Sequence, residues 1–529
     1  MLVTNILVTN VENMMPRRRW WMLAVTCLAV VVVSVDMTVL NIALPAISAA
    51  LRAGTADLQW LNDAYSLAYA AVILIAGALG DRFGRKRLLL GGLTLFLGAS
   101  LWCALSVSVG ELIAARALMG LGGGTVFPLA LAVVPVAFTS EERPKAIGIL
   151  TAGVALGLPL GPVMGGLLLQ HFSWHSVFWL NVPVATLAIA AGIVLMPESR
   201  NPEWRPLDIC GALLPTAAVI CLVWGLINGP EHGWTSPATW GFIAGPAVLL
   251  PAFVLRERRG PKRFVDPALF RDHRFSWGTA ATVAVSVALF GILFFFPQYL
   301  QSVAGDDPIG SGLRLLPMMG GLLVAGLAAE QVVRAVGTKL TVAAGLALLV
   351  AGLAILADVH VATGYPFVAA GLALSGLGTG GSISPAMSAV MEAVGGDEAG
   401  TGASLNSALR QVGAAVAIAV LGSVLSSAYT SGLRPALRAL PLKEAAVAKG
   451  SVAEAVQLAA HLPSGGGALR AAAAAAFLHG MSTVMLICAG VVAVAVFTSL
   501  RYLPGRSAAH AARAGSSPSN AGPTTGARR

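Results

Sequence analysis

An aspartate lies inside the first long apolar run of this sequence, where a charge is costly. Asp36 stands within residues 21–47 and is flanked on both sides by valines. More than 18 apolar residues in a row are typical of a membrane-spanning helix, and an aspartate deep in one costs about 2.5–3.5 kcal/mol on insertion. A carboxyl at this depth indicates a group that gains and loses a proton while facing a cavity or a partner. The alternative, a carboxylate reaching water from a helix end, conflicts with its short side chain.

Two more ionisable residues fall at a similar depth. If the first helix leaves the cytoplasm near Trp21, Asp36 lies about 22 Å along it. The second run starts at about Leu58 and returns inward, so Asp63 lies about 8 Å below the outer edge, and Arg116 in the fourth run falls at nearly the same level. We therefore predict a proton-coupling set in which Arg116 adjusts the proton affinity of Asp36 and Asp63 binds a proton or a cationic drug. Snorkelling of Asp63 and Arg116 towards the outer interface is the alternative.

The composition indicates which class of protein positions these residues. Of the 529 residues, 57% are hydrophobic and 11% are charged, whereas a soluble surface needs about 25% charged residues. The class predicted is an all-α polytopic membrane protein. The net charge of +10 does not indicate a nucleic-acid partner, because lysines and arginines concentrate in alternate loops, as in membrane proteins. The cysteines form no CxxC pair, so we expect no metal site.

Fourteen apolar runs predict fourteen membrane-spanning helices, with both termini on the basic, cytoplasmic side. Residues 428–472 form a long basic loop on the other side, which the charge rule constrains less strictly, and Leu442–His461 within it predicts a surface helix. The predicted organisation is a cytoplasmic N-terminus (1–20), a six-helix bundle (21–200), two inserted helices (201–260), a second six-helix bundle (261–504, with the extracellular loop 428–472) and a disordered cytoplasmic tail (505–529).

The turn between the second and third runs combines glycines, an acid and a basic cluster. Its glycines permit a tight turn, and its aspartate is placed to pair with an arginine in a latch that breaks and re-forms. Plain topology is the alternative, since short cytoplasmic loops are usually basic. We predict a conformational gate formed by Gly77, Asp81, Arg82, Gly84, Arg85 and Lys86.

The fifth apolar run carries small residues at intervals of four. Small residues with this spacing let another helix approach closely, and proline kinks the run. A single GxxxG would indicate only a packing face, but the added Gly-Pro and Gly-Gly pairs make the pattern more specific. The pattern comprises Gly157, Gly161, Pro162, Gly165 and Gly166.

These motifs, with Asp36-Met37-Thr38-Val39, Asn181-Val182-Pro183 and Asn406-x-x-x-Arg410-Gln411, resemble the major facilitator superfamily, specifically its fourteen-helix drug/proton antiporters. The resemblance implies two six-helix bundles around a cavity, alternating access, and export driven by a proton gradient with no cofactor. It also marks the glycine pattern of the fifth run as an antiporter motif. The sequence departs from the family at Met119, where glutamine is usual, and at Trp174-His175-Ser176, where Trp-Arg-Trp is usual.

We assign the substrate cavity to Asn41, Tyr65, Asn406 and Arg410, which lie within or beside these motifs. The predicted function is proton-coupled efflux of small amphipathic drugs or antibiotics across the plasma membrane by a monomer. Its partners are the substrate, protons and the lipid bilayer, and no catalytic residue is assigned. A nutrient symporter is one alternative, although the antiporter motif argues against it. A membrane-embedded transferase is another, although the sequence shows neither a cluster of His, Asp or Glu at one interface nor a sizeable soluble domain.

Overall fold

The computed structural model describes residues 16–139, 142–200, 209–259, 267–394, 399–438, 440–462 and 464–503, and this part of the chain contains helices and no strands. The long helices are α1 (Pro16–Leu51), α2 (Thr55–Phe83), α3 (Arg85–Leu105), α4 (Val109–Ala137), α5 (Arg143–His171), α6 (Asn181–Leu195), α7 (Ile209–His232), α8 (Pro237–Arg259), α9 (His273–Gln298), α10 (Leu316–Val336), α11 (Thr338–Ala357), α12 (Tyr365–Val394), α13 (Ala399–Leu437) and α14 (Gly466–Tyr502). Short helices at Ser176–Trp179 and Pro308–Arg314 precede α6 and α10.

These helices are long and apolar enough to cross a membrane. Thirteen of those described qualify alone, and α2, which bends by 53° near residue 74, brings the number to fourteen when counted as one span. At 1.5 Å per residue, helices of this length cross about 30 Å of hydrocarbon, and α6 reaches that length together with the short helix before it, as the span Ser176–Leu195. The predicted class of all-α polytopic membrane protein is confirmed.

The packing of the helices repeats once along the chain. In the first half, α1 packs against α5 and α6, α2 against α4, and α3 against α4 and α6. The same pattern recurs eight helices later, with α9 against α13 and α14, α10 against α12, and α11 against α12 and α14. Helices α7 and α8 pack together outside these bundles, and α7 lies on α2 and α13. The fold is therefore two six-helix bundles with an inserted pair, as predicted.

Basic side chains gather at one end of the molecule, which we call the basic end. There Arg19 forms an ion pair with Glu142 at 2.8 Å, linking the start of α1 to the α4–α5 turn. Lys86 at the start of α3 donates to the carbonyl of Ile193 near the end of α6 at 2.7 Å. The helix ends of the first bundle that carry predicted cytoplasmic charges thus lie together. Residues 1–15 and 505–529, and the predicted domain boundaries at 201 and 260–261, lie outside the described residues.

The long loop differs from its prediction. Helix α13 continues to Leu437 and α14 begins at Gly466, so the connection is shorter than residues 428–472. The predicted single surface helix is wrong, because the segment forms two loop helices, Leu442–Gly450 and Val452–His461. Between them Ser451 adopts an extended backbone, and its hydroxyl accepts a hydrogen bond from the Glu454 amide. A serine in this role is a typical N-terminal helix cap, so a new helix starts after it.

Candidate functional site

The two charges predicted to meet do so in the interior of the first bundle. Nη1 of Arg116 on α4 lies 2.6 Å from Oδ2 of Asp36 on α1. The other carboxylate oxygen, Oδ1, accepts a hydrogen bond from Nδ2 of Asn181 at the start of α6, at 2.9 Å. Asp36 is 0% exposed and Arg116 is 1% exposed. Three helices thus converge on one carboxylate, and each of its oxygens has a donor.

Arg116 has further partners that keep it in place. Its Nε donates to the Leu61 carbonyl of α2 at 3.2 Å, and its guanidinium lies 4.2 Å from the centre of the Tyr65 ring. Helix α2 comes this close because Gly120 of α4 has no side chain, and an added Cβ there would meet the backbone of Tyr65. A buried ion pair offsets its desolvation only when the geometry is good and the remaining groups are bonded. This pair meets both conditions.

Asp63 does not join this network, so the predicted proton-coupling set is brought together only in part. It is 0% exposed, and neither of its oxygens has a hydrogen-bond partner. It stands one turn from Gln59, which donates to α13, and one turn from Leu67, which packs against α7 and α13. Asp63 therefore occupies the contact of α2 with the second bundle, and it is an unpaired buried carboxyl there.

The four predicted cavity residues are distributed over separate contacts. Tyr65 belongs to the Arg116 network, whereas the Asn41 side chain donates within its own helix, to the Met37 carbonyl at 3.5 Å. Asn406 on α13 is fully buried and donates to the hydroxyls of Thr279 and Thr282 on α9, at 3.1 and 3.0 Å. It therefore ties two helices of the second bundle together.

Arg410 is the predicted cavity residue that reaches between the bundles. Its Nε donates to the Ser286 hydroxyl of α9 at 3.0 Å, and the side chain interacts electrostatically with Tyr69 of α2. It is half-buried. Tyr69 and Arg410 thus mark the same level of the α2–α13 contact.

The gate motif contains the predicted pair of Asp81 and Arg85. Two guanidinium nitrogens of Arg85 bond Oδ1 of Asp81 at 3.0 and 2.8 Å, and a third donates to the Ala132 carbonyl of α4 at 2.8 Å. Gly84 joins α2 to α3 with φ +109°, a conformation that favours glycine. Arg82 stacks over the ring of Phe83, at 4.9 Å from its centre.

Glu198, which the sequence did not single out, contacts the predicted gate motif. It accepts from the backbone amide of Lys86 at 3.2 Å and lies 3.5 Å from Nε of Arg87. Gly84 leaves room for it, because an added Cβ there would meet its carboxylate. Gly77, the first residue of the motif, faces open space. The α2–α3 turn is thus held by a glutamate that follows α6. A single glutamate near a helix end gives no sequence signal of such a contact.

The glycine pattern of α5 makes two contacts. Gly157, Gly161 and Gly165 face α1, and a Cβ at any of them would meet atoms of residues 31–42. Gly166 instead faces the backbone of Pro308 in the short helix before α10, while Gly312 of that helix faces the Pro162 carbonyl. Small residues are needed for such close helix approach. The motif therefore packs α5 within its own bundle and also onto the second bundle.

Residues 26–418 match the family model described as Major Facilitator Superfamily. The chain belongs to the major facilitator superfamily.

Relatives of this superfamily member are named as export or resistance proteins. It is 39% identical over 308 residues to the tetracenomycin C resistance and export protein of Streptomyces glaucescens, covering 58% of this chain and 57% of that protein. It is 33% identical over 474 residues to the methyl viologen resistance protein SmvA of Salmonella typhimurium, covering 88% of this chain and 95% of that protein. The first match spans only a little over half of the Streptomyces protein.

Solved structures of other transporters share this major facilitator fold. A bacterial homolog of the human lysosomal transporter Spinster, inward-facing and unoccupied, superposes with a TM-score of 0.65 at 16% identity, covering 92% of this chain and 98% of that one. A mutant of the nucleoside transporter NupG superposes with a TM-score of 0.57 at 11% identity, covering 92% of this chain and 100% of that one. At these identities the likeness concerns the fold alone.

The end of this superfamily member opposite the basic end is tied by polar contacts that the sequence did not indicate. Nε2 of Gln59 donates to the carbonyls of Ile418 and Ala419 on α13, at 2.8 and 3.0 Å. Gln301, after α9, donates to the Ile42 carbonyl of α1 at 2.9 Å. The hydroxyls of Ser48 and Ser451 are 2.8 Å apart, which fastens the loop helices to the end of α1. The two bundles are therefore closed against each other at this end.

A buried acid lies where the loop helices meet the α1–α2 turn. Glu454 is 7% exposed and interacts electrostatically with Asp57, Arg52 and Tyr429. Burial, followed by the charge of Asp57, raises the pKa of Glu454 from 4.5 to about 7, although Arg52 and the Ser451 hydroxyl act in the opposite direction. Neutral Glu454 is thus the form that the docked loop favours.

Docking of the loop helices is expected to weaken as the pH rises. A raised pKa in the docked state means that the contribution of Glu454 is full below about pH 4.5, declines above it, and is gone once the pH has passed about 7. Hydrogen exchange of the amides of Val452–His461, corrected for intrinsic rates, should therefore be faster at pH 8 than at pH 5. Glu454→Gln should remove this difference, and Glu444→Gln on the neighbouring loop helix should keep it. Equal protection at both pH values in the unmodified protein would contradict the prediction.

Proposed function

We propose that this chain exports small amphipathic drugs or antibiotics across the plasma membrane in exchange for protons. The names of its relatives support an export function, and the SmvA match extends over nearly the whole of both chains. The clustering of Arg19, Lys86 and the α4–α5 turn at one end supports a cytoplasmic location for that end under the positive-inside rule. Both termini then lie in the cytoplasm.

The observation that carries the proposal is the buried pair of Asp36 and Arg116 where α1, α4 and α6 meet. A proton bound by Asp36 removes the negative charge and leaves Arg116 buried with a weaker partner. A buried cation without its counter-ion is costly, so protonation favours a different packing of these helices. Binding and release of the proton thereby bias the bundle between two arrangements, which is the requirement for coupling.

Alternating access in this scheme requires the contacts opposite the basic end to open. Those contacts are the Gln59 and Gln301 hydrogen bonds and the packing of Gly166 against Pro308. Each links the two halves through backbone atoms, and none involves a charged pair. Such contacts stabilise the conformation closed at this end, and because no ion pair has to break, the electrostatic barrier to opening is small.

The direct test is exchange in proteoliposomes. Purified protein is reconstituted with a pH-sensitive dye inside, and a drug such as methyl viologen or tetracenomycin C is added outside. Antiport predicts proton movement opposite to the drug and drug accumulation driven by an imposed pH gradient. Proton movement in the same direction as the drug would indicate a symporter, and no proton movement for any compound of a panel would refute the coupling.

Asp63 supplies a second, independent test of substrate recognition. An ionised carboxyl that is buried without a partner costs several kcal/mol, so we assign Asp63 the protonated form here and ionisation when a cationic drug binds. Asp63→Asn, which resembles the neutral acid in shape, should fold normally and raise the concentration for half-maximal export of cationic drugs about tenfold or more.

Export of uncharged drugs by the Asp63→Asn variant should change little. Asp358→Asn, at an exposed position after α11, is the matched control. Equal losses for cationic and uncharged drugs would contradict the role of Asp63 in drug recognition.

A further inference from the structure

Asn181 holds one of the two carboxylate oxygens of Asp36, although no role was assigned to it from the sequence. Its Nδ2 donates to Oδ1 of Asp36 at 2.9 Å and also to the hydroxyl of Ser100 on α3 at 3.2 Å. The Ser100 hydroxyl in turn donates to the Phe178 carbonyl, at 2.8 Å, in the short helix before α6. Asp36, Ser100 and Asn181 are all 0% exposed. The amide therefore lies in a fully enclosed contact between three helices.

The carbonyl oxygen of the Asn181 amide accepts no hydrogen bond from the described residues. Oδ1 of Asn181 is buried and has no hydrogen-bond partner. Buried acceptors are nearly always bonded, because leaving one unsatisfied costs free energy. An unused acceptor on a residue that touches an ionisable carboxyl indicates that the acceptor serves in another state of that carboxyl.

The two partners of Asp36 differ in what they can offer a protonated acid. When Asp36 binds a proton, its new O–H needs an acceptor, and a guanidinium has only donors. The amide of Asn181 has both functions. A half-turn of the amide about its last side-chain bond brings Oδ1 to the Asp36 O–H, and the Ser100 hydroxyl can then donate to Oδ1 instead of to Phe178. No other group bonded to Asp36 in the described part of the chain can make this change.

We propose that Asn181 is a positioning residue for proton coupling, whose amide donates to Asp36 when it is ionised and accepts from it when it is protonated. This inference rests on the proposed function and adds to it the residue that accommodates both charge states. Arg116 provides the electrostatic partner of the ionised form only. Ser100 acts through Asn181, since its hydroxyl can either accept from the amide or donate to it.

The test is the pH profile of drug–proton exchange in proteoliposomes. Asn181→Leu keeps a similar volume and removes both donor and acceptor, so the ionised form of Asp36 loses one charge-assisted hydrogen bond. The protonated form loses its acceptor as well, but a neutral hydrogen bond is the weaker of the two, so the midpoint of the profile should move upwards by the difference, about one pH unit. Asn181→Ser, whose hydroxyl both donates and accepts, should return the midpoint most of the way to that of the unmodified protein. Asn228→Leu is the control, since the side chain of Asn228 on α7 donates to the Trp224 carbonyl of its own helix and not to an ionisable group.

The outcomes separate this inference from the proposed function. Failure of the unmodified protein to exchange drug for protons would refute the proposed function. Normal exchange by the unmodified protein with an unchanged profile in Asn181→Leu would overturn the role of Asn181 alone. If Asn181→Leu does not fold, Ser100→Ala decides. That variant removes the second partner of the Asn181 amide, so the midpoint should shift in the same direction by a smaller amount. An unchanged pH profile in Ser100→Ala would overturn the inference.

Discussion

Asp36→Asn is expected to abolish drug–proton exchange while the protein remains in the membrane. An amide has no proton to bind or release in the relevant pH range, so the charge change that biases the packing of α1, α4 and α6 is lost. Because the substitution also leaves Arg116 buried without a counter-ion, it should lower stability, and removal of one partner of a buried pair typically costs about 3–5 kcal/mol. Proton flux reported by an internal dye, together with thermal unfolding in detergent, measures both effects.

A neutral double variant separates the coupling role from a purely structural one. Asp36→Asn combined with Arg116→Gln leaves no charge at this site, so it should unfold at a higher temperature than the single variant. It should nevertheless be equally inactive in exchange. Asp358→Asn, at an exposed site, should behave as the unmodified protein in both measurements. If the double variant exchanged drug for protons at the normal rate, the ion pair would be structural only and Asp36 would not be the coupling group.

The contact between Asp36 and Arg116 was predictable because depth in a membrane helix follows from counting residues. The two side chains are 80 positions apart, yet a fixed rise per residue places them at one level. The same counting gave the depth of Asp63 but not the helix that it faces, since depth says nothing about direction around the helix axis. A helix that is apolar on all sides carries no stripe from which its orientation can be read. Asp63 lies at a suitable depth but faces α13.

The polar contacts that close the molecule, and the one that holds the α2–α3 turn, were not predictable for a related reason. Gln59, Gln301 and Glu198 bond to backbone atoms of distant segments, and a single polar residue near a helix end carries no information about such a partner. The glycine pattern of α5 was informative because several small residues recur at helical spacing. Even there, the spacing gave the face towards α1 and not the contact of Gly166 with the other bundle.

Gly166→Val is expected to hold the molecule open at the end opposite the basic end. A Cβ at residue 166 would meet the backbone of Pro308 and Ile309, and this clash exists only while the bundles are closed there. Overpacking typically costs about 1–3 kcal/mol, which would shift the ratio of closed to open molecules by roughly 5- to 150-fold. Spin labels at Val107 and Val361, which are 77% and 69% exposed after α3 and α11, should report a longer distance across this end.

The reciprocal and control substitutions make this result specific to the contact. Gly312→Val should lengthen the same distance, because its Cβ would meet the Pro162 carbonyl from the other side, and Gly166→Ala should give a smaller change. Gly148→Val, in the same helix at a position with nothing within 4 Å of an added Cβ, should leave the distance unchanged. Export should fall with the shift, since a molecule that cannot close at this end cannot return for another drug. An unchanged distance in both Gly166→Val and Gly312→Val would show that the bundles do not part at this contact, and the opening would have to occur elsewhere.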